Sequence, residues 1–205
     1  MRKFVTLRKL ALLGGLVVLS ACARGAASEV TQASETPRQN LPVMRWDHRP
    51  EAADWTRAAL RAMEGPAAGL PQTVPADIAA YCPAYPRASL ADRMAFWSGL
   101  FSALAKYEST WNPEAVGGGG RWYGLVQIAP ATARGYGCRA RSGEALKDGG
   151  ANLACGLQIA SATVARDGVI SRRGRGVAAD WTPFRNPAKR DEIAAWTSAQ
   201  SYCQA

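Results

Sequence analysis

The sequence predicts a mainly α-helical domain with one small β-hairpin and two disulfides, and three observations lead there. Apolar residues recur from Leu90 onward at alternating steps of four and three, the period of a helix with one buried face. A run of four glycines, Gly117 to Gly120, cannot hold a helix and reads as the tip of a hairpin leading into RWYGLVQI. Behind an N-terminal leader lie four cysteines, Cys82, Cys138, Cys155 and Cys203, an even set suited to an oxidising compartment.

The leader opens the chain of 205 residues. Arg2, Lys3, Arg8 and Lys9 precede an apolar run from Leu10 to Leu19, which the small residues Ser20 and Ala21 close. This is the pattern of a secretory signal peptide over residues 1–21, too short for a membrane span. Leu19-Ser20-Ala21-Cys22 resembles the bacterial lipobox, which implies cleavage before Cys22 and acylation of that cysteine. The chain then reads as a lipoprotein, and Ala23 after the cysteine points by the same likeness to the outer membrane, facing the periplasm. Loss of the leader leaves 21 basic and 16 acidic residues, a net charge of +5 in place of +9. A mildly basic exported protein suits an anionic envelope polymer, and export argues against nucleic acid as a partner.

Residues 23 to about 50 are rich in Ala, Ser, Thr, Gln, Glu and Pro without apolar period, as in a tether. EAADWTRAALRAMEG then sets Trp55, Ala59 or Leu60, and Met63 at helical spacing and ends at Gly65. The Gly- and Pro-rich residues 65–75 read as a linker, which places the anchored N-terminal region at 22–75 and the compact domain at 76–205. Ser89 with Asp92 resembles a capping box and opens the clearest helix, on which Leu90, Met94, Trp97, Phe101 and Leu104 share a face. Pro130 suits the first turn of a helix in ATARGYG, and residues 142–148 read as a short capped helix. A longer helix turns Leu153, Leu157, Ala160 and Val164 inward and ends at Gly168; Asn186-Pro187 begins the last helix, through Ile193 and Trp196. Of the three pairings open to the four cysteines, Cys138 with Cys155 and Cys82 with Cys203 are expected, one closing a short loop and the other joining the ends of the domain. A zinc site lacks CxxC spacing, and the single histidine, His48, lies far upstream, so no metal or other cofactor is expected.

The chemistry concentrates in KYESTWNPEAVGGGGRWYGLVQIAP, from Lys106 to Pro130. Glu108 lies 18 residues past Leu90, about five turns at 3.6 residues each, so it emerges on the apolar face just before Pro113 stops the helix. Burial and the negative end of the helix dipole both disfavour its charged form, with no nearby cation in the sequence to oppose them. A carboxyl kept protonated near neutrality can give its proton to a leaving oxygen, as glycoside cleavage requires.

Glu108-Ser109, Trp111-Asn112-Pro113-Glu114-Ala115, Gly124-Leu125-Val126-Gln127-Ile128 and Pro130-Ala131-Thr132-Ala133, with Asn152 to Gly156 after them, together resemble lytic transglycosylases of the soluble-transglycosylase type. The resemblance implies a lysozyme-like fold with a glycan-binding groove that cleaves the bond between N-acetylmuramic acid and N-acetylglucosamine in peptidoglycan. It implies that Glu108 is the single acid and later base, yielding a 1,6-anhydro product; a hydrolytic muramidase or a non-catalytic peptidoglycan-binding lipoprotein are the alternatives. Glu114 and Asp148 are the other acids that would matter, since either one facing Glu108 across a water would favour an inverting hydrolase.

Around Glu108, Ser109 either orients the glutamate, bonds an acetamido group or closes its own helix. Gln127 and the backbone of Gly124, Leu125 and Val126 are expected to line the groove, and Asn152 to bind sugar or cap its helix. Trp111, Trp122 and Tyr123 either stack on sugar rings or belong to the core, Tyr123 being taken as a substrate contact. The chain departs from the family pattern twice. Glycines 117–120 stand where a serine is usual, and the tyrosine of the later Ala-Tyr-Asn motif is missing from SRRGRGVAADWTPFRNP, where Trp181 is expected to pack and the arginines to form a solvated basic loop.

Overall fold

The computed structural model describes residues 41–204, which lie in one compact unit. The leader, the Cys22 lipidation site and the first part of the tether fall outside the described residues. Among the described residues there are five helices and one hairpin: α1 (Ala52–Met63), α2 (Leu90–Glu108), β1 (Val116–Gly117) paired antiparallel with β2 (Trp122–Tyr123), α3 (Pro130–Gly135), α4 (Gly149–Asp167) and α5 (Pro187–Ser198). Short 3-10 turns join them, and this mainly helical, lysozyme-like architecture is the fold class read from the sequence.

Helix α2 is the axis of the molecule. Ser89 caps it, its hydroxyl accepting from the Asp92 amide at 3.1 Å and donating to the Asp92 carboxylate at 2.7 Å. The sequence suggested one buried face; instead every residue from Met94 to Ala105 is buried. Ala95, Ser98, Gly99, Ser102 and Ala103 fall between the large apolar residues, and their small side chains let α1, α5 and the C-terminal turn close on the remaining faces. Leu90 departs from the expected face at 49% exposed, because the first turn of α2 projects beyond the core.

The expected domain start near Ala76 is corrected by the packing. Met44 and Trp46 are buried in the common core, and the Arg45 amide donates to Ser102 Oγ on α2 at 3.0 Å. Helix α1 packs along α4 through Trp55, Ala59 and Met63, and the stretch read as a linker buries Ala67 and Leu70. Residues 41–75 are therefore part of the globule. Their Gly, Pro and Ala content hid isolated large side chains that fill specific gaps.

Both expected disulfides are present, Cys82–Cys203 across 121 residues and Cys138–Cys155 across 17. Gly168 ends α4 with φ 68°, and Asn186 caps α5 by accepting from the Lys189 amide at 3.1 Å. The short helix read at 142–148 is reduced to a 3-10 turn at Ala145–Lys147, opened by Ser142 Oγ accepting from the Ala145 amide.

Candidate active site

Glu108 is the last residue of α2, at the rim of the core. The helix ends with Thr110 and Trp111 in the left-handed region, φ 52° and 56°, held by Ser109 and Trp111 amides that both return to the Ala105 carbonyl. Left-handed backbone at two successive non-glycine residues is costly and persists where packing enforces it. The Trp111 indole supplies that packing: it donates to the Ser102 carbonyl at 2.9 Å, and its ring meets His48 edge-on. Trp111 is thus a structural brace for the end of α2.

The half-buried Glu108 carboxyl has no hydrogen-bond or ion-pair partner among the described residues. Burial pushes its pKa up to about 7, and the Lys189 ammonium of α5 opposes the shift. That lysine corrects the expectation that no cation acts on the acid; it comes from 81 residues further along the chain, where only the tertiary fold could bring it. No second carboxylate contributes to the acidity of Glu108 among the described residues. Of the two other acids weighed, Glu114 is exposed and lies 3.8 Å from Lys147, while Asp148 caps α4 by accepting from the Ala151 amide at 2.7 Å. Both line a separate cavity against α1.

The neighbouring α5 is fixed by one carboxylate. Glu192 receives Arg45 as a two-pronged pair, Lys106 at 3.1 Å and the Tyr107 hydroxyl at 2.8 Å, which hold it down to about 2. Lys189 lies one turn before Glu192, with its Nζ 5.2 Å from the Tyr107 ring centroid.

Several residues expected to touch substrate prove to hold the loop that backs Glu108. Asn152 is fully buried: its carbonyl accepts from the Val126 amide at 2.9 Å, and its amide donates to the Tyr123 and Leu146 carbonyls, each at 2.9 Å. It neither reaches solvent nor caps α4, a role taken by Asp148. Leu125 and Val126 are fully buried, and their carbonyls accept from the Ser109 hydroxyl and the Trp181 indole, both at 2.8 Å. Their side chains form part of the buried wall behind the loop. Ser109 thereby ties the acid's helix to the loop and does not bond the Glu108 carboxyl. Gly124 has φ 80°, and a Cβ there would stand 2.7 Å from Asn152 Cγ, so only glycine passes. Gly156 plays the complementary part on α4, where a Cβ would meet Phe101 at 2.8 Å and Val126 at 3.1 Å.

Gln127 also sits at positive φ, 49°, and its amide donates to the Gly124 and Ala115 carbonyls at 2.9 and 3.2 Å. Among the described pockets it lines one with Trp122, Ile128, Thr132, Asp180 and Trp181. Tyr123 gives its hydroxyl to the Gly120 carbonyl at 2.7 Å and braces the hairpin tip, whereas Trp122 is 40% exposed with Arg121 over its ring. Of the aromatics weighed, Trp122 is the most exposed. Trp181 packs, as expected, edge-on against Phe101.

Fold and site together define a lysozyme-like helical domain built around one rim carboxyl. Residues 87–168 match the family model described as the transglycosylase SLT domain. Among solved structures it is similar to two glutamate-to-glutamine mutants of Bd0314 DslA, at 26% and 25% identity and TM-scores 0.73 and 0.71, and to the wild-type form 2 of the same protein, at 26% and 0.71. Each alignment covers 81% of this chain and 100% of the other. No curated protein matches the chain significantly.

Proposed function

We propose that the protein is a peptidoglycan lytic transglycosylase that cleaves the bond between N-acetylmuramic acid and N-acetylglucosamine with Glu108 as its only acid and base. The observation that carries the reading is a half-buried carboxyl at the end of α2, without a hydrogen-bond or ion-pair partner among the described residues and raised by burial to about 7. A retaining hydrolase needs a carboxylate nucleophile about 5 Å from the acid, and an inverting one needs a base about 6.5–9.5 Å away. Charge at either place would push Glu108 further upward. The SLT-domain match supplies the substrate class.

In this reading protonated Glu108 gives its proton to the glycosidic oxygen as that bond breaks. The muramoyl 2-acetamido oxygen stabilises the positive centre at C1. Glu108, now ionised, takes the proton of the muramoyl 6-hydroxyl as O6 bonds to C1, closing the 1,6-anhydro ring. The proton count returns to its start, and no water enters. A cationic Lys189 nearby favours the ionised intermediate state without holding the carboxyl as an ion pair, which suits a group that must give and then take a proton.

Cys22, lying outside the described residues, is proposed as the acylated N-terminus that holds the domain in the cell envelope, at the outer membrane. No helix among the described residues is long and apolar enough to cross a membrane, so the acyl chains are the proposed anchor. The test of the catalytic reading is Glu108→Gln, which keeps shape but cannot transfer the proton. Solubilisation of purified peptidoglycan should fall by about 100-fold or more, and unchanged turnover would remove Glu108 from the mechanism.

A further inference from the structure

Two pieces of the chain that lie outside the family match at 87–168 meet at Tyr107, the residue before Glu108: the strap from Met44 to His48, and helix α5. Met44 and Trp46 are buried and the Arg45 amide is fixed to Ser102 Oγ, so the Arg45 side chain crosses to α5 and ends there only 14% exposed. Its guanidinium takes both oxygens of Glu192, and Lys106 and the Tyr107 hydroxyl add a second donor to each oxygen. A carboxylate has about four acceptor positions, so Glu192 is saturated.

Lys189 and Glu192 are three residues apart on α5, a spacing at which opposite charges ordinarily close an ion pair. Here they do not. Lys189 forms no ion pair among the described residues; its Nζ stands 5.2 Å from the Tyr107 ring centroid, where the ring face attracts an ammonium, and its charge acts on Glu108. The other titratable groups on the elements around the acid are engaged elsewhere. Lys106 is on Glu192, His48 lies edge-on to Trp111, Arg121 holds the Gly118 carbonyl, and the Tyr123 hydroxyl holds the Gly120 carbonyl. Neither Arg45 nor Glu192 contributes to the acidity of Glu108 itself.

We propose that Arg45 is a positioning residue: by saturating Glu192 it keeps Lys189 off that carboxylate and turned to Glu108, so that a strap outside the matched segment sets the charge around the acid. The proposal rests on the reading of Glu108 as the acid and base, and adds the groups that hold its surroundings in place. Removing the Arg45 guanidinium leaves Glu192 with open acceptor positions one turn from Lys189. The ammonium then moves to Glu192, and Glu108 loses the one cation that favours its ionised form.

Carbon-13 NMR of the glutamate carboxyls in the full chain tests this, with the Glu108 resonance assigned by its loss in Glu108→Gln and the pH profile of peptidoglycan cleavage followed in parallel. In Arg45→Ala the titration midpoint of Glu108 should rise by about 0.3 pH units or more, as it should in Lys189→Ala. Arg45→Ala/Glu192→Gln should return to the wild-type midpoint, because no free carboxylate remains to draw Lys189 away. On a Lys189→Ala background, Arg45→Ala should add less than about 0.1 unit, since its effect runs through the lysine. Where Arg45→Ala fails to fold, Arg45→Lys, which keeps the charge but loses the two-pronged grip, should give a smaller rise of the same sign. An unmoved midpoint in the folded Arg45 variant, no return on adding Glu192→Gln, or an equal further rise without Lys189 would each overturn the proposal. Turnover that survives Glu108→Gln would remove the catalytic reading and leave the NMR titration to judge Arg45; turnover lost in that variant with an unmoved midpoint in Arg45→Ala would do the reverse.

Discussion

At Glu108, burial and charge set both activity and stability. Because its folded pKa is raised to about 7 from an ordinary value of 4.5, the folded state holds a proton that the unfolded state releases between those values. The folded state therefore loses stability as pH rises from about 4.5 to about 7, and the loss is complete above that. Glu108→Gln should be indistinguishable in melting temperature at pH 4 and more stable than the wild type at pH 8. Discounted for partial exposure, the gain is on the order of 1 kcal/mol, or about 2–4 °C in a melt followed by circular dichroism. Catalysis has the matching sign: the acid step needs the proton, so turnover should decline as pH passes upward through about 7. Lys189→Ala removes the opposing cation and should move that decline to higher pH, a shift a purely structural lysine would not produce.

At the scale of elements, the loop from Tyr123 to Gln127 is held by side chains from three directions, and its rigidity positions the end of α2. Asn152→Ala would strand the buried Val126 amide and the Leu146 carbonyl, and should cost about 2–4 kcal/mol in urea melts. Were Asn152 a sugar contact, the same change would raise KM with little loss of stability. Ser109→Ala should cost less, about 1 kcal/mol, and lower kcat more than it raises KM, because the lost bond ties Glu108's helix to its backing loop. These residues show why roles were harder to read than positions. The hydrophobic period of α2 put Glu108 at the end of a buried helix, and the Pro113 stop and the glycine-rich hairpin followed from local chemistry. An asparagine in a helix looks the same in sequence whether it faces a sugar or a loop carbonyl, and only the tertiary contact tells them apart. Lys189 and the Arg45–Glu192 pair were invisible for the same reason, their partners lying far off in the chain.

Across the whole molecule, the sequence under-read the N-terminal third. Composition made residues 41–75 look like tether and linker, yet Trp46, Ala67 and Leu70 are fully buried. A chain beginning at Ala76 should therefore fail to give a cooperative melt, since it would uncover the faces of α2 and α4 that α1 and Trp46 occupy. The disulfide framework was legible from parity, compartment and spacing. Replacing both Cys82 and Cys203 by Ala should lower stability by about 4–5 kcal/mol in the chain-entropy picture, the larger share of what the two bridges contribute, because its loop is the longer.

The central proposal is a single carboxyl, Glu108, that cleaves a glycan as both acid and base. The most direct measurement is mass spectrometry of the fragments released from purified peptidoglycan by the wild-type protein and by Glu108→Gln. Fragments ending in 1,6-anhydro-N-acetylmuramic acid, absent with the variant, are the predicted result. Reducing ends carrying an added water, or anhydro ends that persist without Glu108, would contradict it.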